Sequence, residues 1–351
     1  MKLLDLKIWF HKKLHWEYWH TRTIYIPLSW MWIYLAFRNR SLYFFNYTNP
    51  TISYGGLVMC SKKEIYDLIP SRWIPKTLKF NHRESFEKIS NAIEQFQMSF
   101  PLVLKPDIGL KGLGVHFIDN YSQLEKEVKN LDNDYLIQEK IPYRNEVGIF
   151  YVRYPNEKDG FCTGMVRKDF LRVRGNGTST LEELILNDSR AFVHYKSLYR
   201  EWSDQWNSII EKDKTILLVP YGSHTRGACF KDVSDSISSQ LSSVINSICK
   251  EIDGFYYGRL DVMYKDWESL LAGKDFSIIE INGTAAEPTH IYDPNHSYFF
   301  GAKTIIKHWM MMSKISRMNR KSLKTASFKK TTKAIFQNIK LERQLRLLHG
   351  L

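Results

Sequence analysis

An α+β fold is predicted by three features of the sequence. Residues 101–115 read PLVLKPDIGLKGLGV, an apolar run and a glycine-rich turn, and a second apolar run continues to Ile118. This suits two strands joined by a flexible loop. Residues 234–252 carry Ile237, Leu241, Val244, Ile245 and Ile248 at helical spacing. Residues 258–263 (GRLDVM) and 276–283 (FSIIEING) set polar residues among Leu, Val and Ile, as strands of a buried sheet require. Residues 266–275 between them read as a polar, hairpin-like connection.

Those last two strands hold the most informative side chains. Residues two apart on a strand share a face, so Arg259 and Asp261 point one way, as do Glu280 and Asn282 on the second strand. Two carboxylates, an amide oxygen and a guanidinium are costly to bury unless paired or metal-bound. Hard oxygen donors of this kind suit magnesium that also touches phosphate oxygens. The plainer reading is a structural Arg–Asp pair beside an unrelated edge carboxylate. Upstream, Gly109, Gly112 and Gly114 let backbone N–H groups wrap phosphate oxygens, and Lys105 ends the preceding strand as a point charge. No Gly-Lys-Ser/Thr closes this loop and a strand follows it, which excludes a P-loop and a dinucleotide fingerprint. Taken alone, this loop is better accounted for by an ordinary hairpin with a glycine turn.

The order of motifs adds to this. A lysine-ended strand and glycine loop come first. The stretch Leu136-Ile137-Gln138-Glu139-Lys140-Ile141-Pro142 follows, with Glu146 beyond it, then Arg-x-Asp and Glu-x-Asn. This series resembles the ATP-grasp superfamily over residues 60–302. The resemblance implies two α+β lobes sandwiching ATP. It implies that Lys105 contacts the α and β phosphates, and that Lys62 or Lys63 is an earlier phosphate lysine. Glu139, Lys140 and Ile141 would form the hinge facing adenine, and Glu146 would accept from the ribose hydroxyls. Asp261, Glu280 and Asn282 correspond to the ligands of magnesium (two ions, with manganese as a substitute). Arg259 corresponds to the arginine near the transferred phosphate.

Two further elements resemble the cyanophycin-synthetase and glutamate–cysteine-ligase branch. Residues 173–185 match its V-x-G-D-G-x-x-T-I-x-E-L-I pattern, physically a glycine turn feeding a helix with Thr180 and Glu183 at capping-box spacing. Residues 222–235 match its N-L-S-x-G-G…D-V-T-D element, with the asparagine absent and Arg226 added. That element lies near the transferred phosphate, which makes Arg226 a candidate catalytic residue beside Arg259 and Lys105. The Arg-x-Asp-Val-Met string also resembles D-alanine–D-alanine ligases, although those place a full α/β domain before the glycine loop and no comparable segment is seen here. Residues 283–294 follow the second strand as a loop, which offers Glu287, Thr289 and His290 as acceptor-site candidates. His290 is expected on the surface.

Charge divides the chain into three. Residues 1–50 hold seven Lys/Arg and two Asp/Glu, and residues 303–351 hold thirteen and one, whereas the middle is mildly acidic within a total of +13. The organisation expected is an aromatic basic segment (1–55), an ATP-grasp domain (56–302) and a basic helical tail (303–351). Within the domain, a glycine-loop lobe covers about 101–137 and a metal-binding lobe about 138–302. Five of the ten tryptophans lie in the first segment. Its uncharged run, residues 23–37, is flanked by Arg22, Arg38 and Arg40. As a helix it would reach about 22 Å, short of the roughly 30 Å hydrocarbon core. It also lacks a signal-peptide cleavage site. Interfacial contact with an anionic membrane is the expectation, with Trp30 and Trp32 as anchors. The alternative is an aromatic helix pair packed on the enzyme or in a homodimer seam. The basic tail suits lipid headgroups or remains solvated. No nucleic-acid-binding signature accompanies the charge. Four cysteines without C-x-x-C spacing argue against zinc ribbons and point to reduced thiols in a cytoplasmic setting.

The activity expected is ATP- and magnesium-dependent ligation of a carboxylate to an amine through an acyl phosphate, on small-molecule or lipid- or glycan-linked substrates. An ATP-grasp kinase acting on a hydroxyl and a membrane-associated nucleotide-binding scaffold are the alternatives. The cell side expected is cytoplasmic, peripheral at the inner face of the membrane.

Overall fold

The computed structural model describes residues 2–109, 114–320 and 327–348. Gly112 of the glycine loop lies outside them. The chain forms two antiparallel sheets, each backed by helices. β1 (Thr77–Phe80), β2 (Leu102–Pro106), β3 (His116–Ile118) and β4 (Tyr135–Glu139) make the first, in the order β1-β4-β2-β3. β2 and β3 pair antiparallel with Leu104 opposite His116, so the glycine loop joins neighbouring strands as expected. Helices Phe86–Gln95 and Tyr121–Val128 cover this sheet, burying Ile89, Ile93 and Leu124 against Leu102, Leu104 and Ile118.

The second sheet is built from β5 (Asn145–Val152) and β6 (Phe161–Asp169). A separate ribbon of β7 (Arg172–Arg174) and β8 (Thr215–Leu217) intervenes before β9 (Cys229–Asp232), β10 (Tyr257–Tyr264) and β11 (Phe276–Asn282), giving the order β11-β10-β5-β6-β9. Helix Ser239–Glu251 presents Leu241, Ile245 and Ile248 to Ile149, Leu260, Val262 and Ile278 of the sheet. The predicted capping box holds: Thr180 Oγ1 accepts from Glu183 N while Glu183 accepts from Thr180 N, starting helix Leu181–Asn187. Residues 266–275 are not a simple hairpin. Asp266 accepts from Ser269 N and nucleates the short helix Trp267–Leu271, because an aspartate side chain satisfies an otherwise orphaned first-turn N–H.

The N-terminal residues pack on the second sheet through helices Thr21–Tyr25 and Ser29–Arg38, whereas helix Lys2–Leu14 lies against Phe192 and Lys196. Trp16, Ile24 and Leu28 join Val166, Phe230 and Ile305 in one cluster. Trp16 Nε1 donates to His296 O at 2.7 Å, and its ring lies where a Cβ on Gly301 would be 2.6 Å away. Trp32, paired with Trp30 in the sequence reading, turns inward onto Phe44 and Trp309. Helix Tyr298–Asn319 carries that contact, and the tail helix Phe328–Leu348 docks through Thr331 on Asn46 and Asn338 on Met59 N. Among the described residues, no helix is long and apolar enough to cross a membrane.

Candidate functional site

β10 and β11 pair antiparallel with Arg259 opposite Asn282 and Asp261 opposite Glu280, so the four polar residues share one face. Asp261 is buried and both its oxygens are engaged. Arg259 donates through Nε and Nη2 at 2.9 Å each, and Asn282 Nδ2 approaches Oδ2 at 3.3 Å. Glycine at position 148 of β5 keeps the space above this pair open, since a Cβ there would lie 3.1 Å from Asp261 Oδ1.

A residue absent from the sequence reading completes the centre. Lys168 of β6 is buried, with its ammonium 2.5 Å from Glu146 and 3.0 Å from Asp261. Burial opposes the charge on Lys168, but Asp261 and Glu146 outweigh it and hold its pKa above the ordinary lysine value. Burial likewise opposes ionisation of Asp261, yet Arg259 and Lys168 hold its carboxyl below the usual range. Glu146 also accepts from Gly222 N at 3.1 Å, where any Cβ on residue 222 would collide with that carboxylate. A lysine within FCTGMVRKD carries no motif, and only the pairing of β6 with β5 brings it here.

Lys105 of β2 and Lys62, which opens the short helix Lys62–Tyr66, approach the same place. Lys105 Nζ donates to Tyr66 Oη and Gln138 Oε1, both at 2.8 Å. Tyr66 in turn donates to Ile279 O of β11. Burial pulls the Lys105 pKa down to about 8, only partly offset by Glu280. The structure separates Lys62 from Lys63. Lys62 Nζ lies 3.9 Å from Glu280 Oε1 and 3.4 Å from Gly109 O, whereas Lys63 pairs with Asp67 one turn along its own helix. Buried Asp107, also absent from the sequence reading, fixes this helix. It accepts from Ser61 Oγ, Lys63 N and Lys79 Nζ, at 2.8–2.9, 3.0 and 2.7 Å.

Gly109 and Gly114 flank the undescribed part of the glycine loop. Glu139 ends β4 beside Lys76, at 3.5 Å, and Lys140 is exposed with its ammonium over the Phe117 ring. Ile141 follows in the short connection to β5 and is half-buried. Arg226 is not drawn to the carboxylates. It pairs with Glu201 and lies over the Tyr221 ring.

The loop after β11 is held by the N-terminal part of the chain. Thr284 N and Ala285 N donate to Gly55 O and Gly56 O at 3.0 Å each. The backbones approach so closely that a Cβ on Gly56, at φ +85°, would lie 2.7 Å from Gly283 Cα. Glu287 accepts from Tyr25 Oη and, at 3.3 Å, from Tyr292 Oη, while its carbonyl accepts from Arg259 Nη1 at 3.3 Å. Thr289 is buried, and its hydroxyl has no hydrogen-bond partner among the described residues. His290 is buried rather than on the surface. Its ring sits against Gly164 of β6, where a Cβ would come within 2.4 Å.

Among the described residues, no three His, Cys, Asp or Glu side chains converge as a metal cage. The donors here are two carboxylates and an amide oxygen. That set fits magnesium completing its shell with phosphate oxygens and water.

This is an ATP-grasp fold. Residues 68–153 match the family model of the RimK-like ATP-grasp domain, a span that includes Lys105, the glycine loop and Glu146 and ends before Arg259. Among solved structures, a bifunctional glutathione synthetase from Pasteurella multocida is 18% identical over 68% of this chain and 34% of its own, with a TM-score of 0.38. A carboxyaminoimidazole ribonucleotide synthase from Aspergillus clavatus is 10% identical over 63% and 44%, at 0.37. A D-alanine–D-alanine ligase from Bacillus anthracis is 14% identical over 72% and 68%, at 0.39. The chain thus spans about a third of the first protein and under half of the second. At these scores the likeness carries no argument about substrate. No curated protein matches the chain.

Proposed function

We propose that the chain is an ATP- and magnesium-dependent ligase that joins a carboxylate to an amine through an acyl phosphate. One observation carries the reading: Asp261 and Glu280 share a sheet face on which Arg259, Lys168 and Lys62 converge from three elements. Such a cluster serves phosphoryl transfer, where catalysis is mostly positioning and charge stabilisation. Asp261, Glu280 and Asn282 would hold magnesium, which would neutralise phosphate charge when bound.

Lys105 and Lys62 receive the nucleotide phosphates. Arg259 and Lys168 balance the charge that develops as a substrate carboxylate oxygen attacks the γ phosphorus and the bond to ADP breaks. The amine then attacks the carbonyl carbon, the C–N bond forms, and inorganic phosphate leaves. Glu287, anchored by Tyr25 and Tyr292 beside Arg259, is suited to hold an ammonium and take up its proton. Substrates are small-molecule or lipid- or glycan-linked carboxylates and amines, used on the cytoplasmic side.

The test is ADP release by the full chain over pairs of amino acids, dipeptides and glycan precursors, with hydroxylamine added to trap acyl phosphate. Hydroxamate formation and a joined product are expected. Phosphate retained on a hydroxyl of one substrate would instead make it a kinase. No nucleotide turnover with any pair would refute catalysis.

A further inference from the structure

The helix Ser29–Arg38 is apolar on both sides. Leu28, Trp32 and Leu35 face the protein, in contact with Phe44, Trp309 and other apolar side chains. Trp30, Ile33 and Phe37, together with Ile26 in the 3-10 turn Ile26–Leu28 that leads into the helix, recur at spacings of four, three and four, and each is more than half exposed. A helix apolar all round is ordinarily enclosed, so among the described residues its outer face lacks a partner. Helix Tyr298–Asn319 packs directly beside it, through Trp32 on Trp309 and Asn39 on Ser313 at 2.7 Å. The exposed positions of that second helix include Lys303, Lys307, Met310, Lys314 and Arg317, at spacings of four, three, four and three. They form a row of four cations interrupted by one methionine, on a helix without a single acidic residue.

The charge around the apolar stripe is one-sided. Residues 18–61 contain Arg22, Arg38 and Arg40 and no Asp or Glu. The two earlier acids are already engaged: Glu17 is buried between Arg190 and His224, and Asp5 pairs with Lys196. A second copy of the chain would bring the same cations against these, which like-charge repulsion disfavours. An anionic lipid surface complements both halves at once. Its phosphates match the basic row, and its headgroup–acyl boundary takes Trp, Ile and Phe.

We propose that helix Ser29–Arg38 and the outer side of helix Tyr298–Asn319 together form a docking face for an anionic bilayer. The apolar stripe lies in the interface plane rather than crossing the membrane. The same N-terminal stretch reaches the catalytic loop, since Tyr25 donates to Glu287. On the ligase reading, docking would also set the loop that carries Glu287 close to the lipid. The proposal stands independently of the ligase reading.

Sedimentation of the full chain, without nucleotide, with phosphatidylglycerol vesicles and with phosphatidylcholine vesicles tests it. Binding is expected to the anionic vesicles at low salt, falling as salt rises, and to be far weaker with the neutral ones. Lys307→Gln with Lys314→Gln should weaken it by roughly tenfold or more. Trp30→Ser with Phe37→Ser should remove the part that survives high salt. These side chains are exposed, and circular dichroism should show both variants folded. Failure to bind anionic vesicles at low salt would overturn the proposal, as would equal binding by the Trp30/Phe37 variant. A dimer in light scattering that the Trp30/Phe37 variant dissolves, with no vesicle binding, would assign the face to a second copy instead.

Discussion

Lys105 is a charged group held where charge is costly, and its titration should be visible in nucleotide affinity. Its pKa of about 8 follows from burial, with Glu280 offsetting part of the loss. If only the ammonium form binds phosphate, the competent fraction is about nine-tenths at pH 7 and about one-tenth at pH 9. ATP affinity measured by calorimetry should therefore fall about tenfold, or about 1.4 kcal/mol, across that interval. Lys105→Met should bind more weakly at pH 7 and show a flat profile through the same range. The stability effect has the opposite sense. The folded pKa lies below the ordinary lysine value of 10.5, so the unfolded chain binds more protons between about pH 8 and 10.5 and stability rises with pH there. Below pH 8 the penalty is full, about 3 kcal/mol as an upper figure, and Lys105→Met should recover much of it in denaturant melts at pH 7. A wild-type affinity that does not change from pH 7 to 9 would refute the reasoning. So would a Lys105→Met profile that falls in parallel with wild type, because the titrating group would then be elsewhere.

Three other perturbations separate charge from scaffold. Glu280→Gln should lower ATP turnover by at least about a hundredfold with little change in melting temperature, because that carboxylate is 36% exposed and its ion pair with Lys62 is long, at 3.9 Å; Asp261→Asn should lose turnover and also about 3–5 kcal/mol of stability, since Arg259 and Lys168 lose a buried counter-charge. Lys62→Ala should weaken ATP binding by about 1.5–3 kcal/mol in calorimetry while Lys63→Ala stays within about 0.5 kcal/mol of wild type, and the reverse order would show that the phosphate lysine is misassigned. Gly148→Ala should reduce turnover more than stability, because the new methyl lies 3.1 Å from Asp261 Oδ1 and crowds Arg259, and unchanged kinetics would mean that the space above Asp261 is not used.

What the sequence made legible followed from local rules. Alternation along a strand put Arg259 with Asp261 and Glu280 with Asn282, and the β10–β11 register set the two pairs opposite each other. The glycine loop between antiparallel strands and the Thr180 cap were likewise readable, because each depends on neighbours within a few residues. Lys168 and Asp107 were not readable. Lys168 meets Glu146 across 22 positions and Asp261 across more, and Asp107 meets Ser61 across 46. The choice between Lys62 and Lys63 hung on that same distant aspartate, which fixes the start of the helix. Aromatic density at the N-terminus could not distinguish packing from an outward face. Helical phase divides it, sending Leu28, Trp32 and Leu35 inward and Ile26, Trp30, Ile33 and Phe37 outward.

The buried group formed by Glu146, Asp261, Lys168 and Arg259 is two anions and two cations in mutual contact. It is electroneutral before any nucleotide arrives. A triphosphate entering beside it therefore finds little surplus positive potential beyond Lys62 and Lys105, too little to match its own charge. If the chain binds ATP as proposed, part of that neutralisation would fall to whatever cation travels with the nucleotide. On the proposed reading, charge stoichiometry would then favour the metal-complexed over the free triphosphate in addition to whatever Asp261, Glu280 and Asn282 contribute by holding the metal.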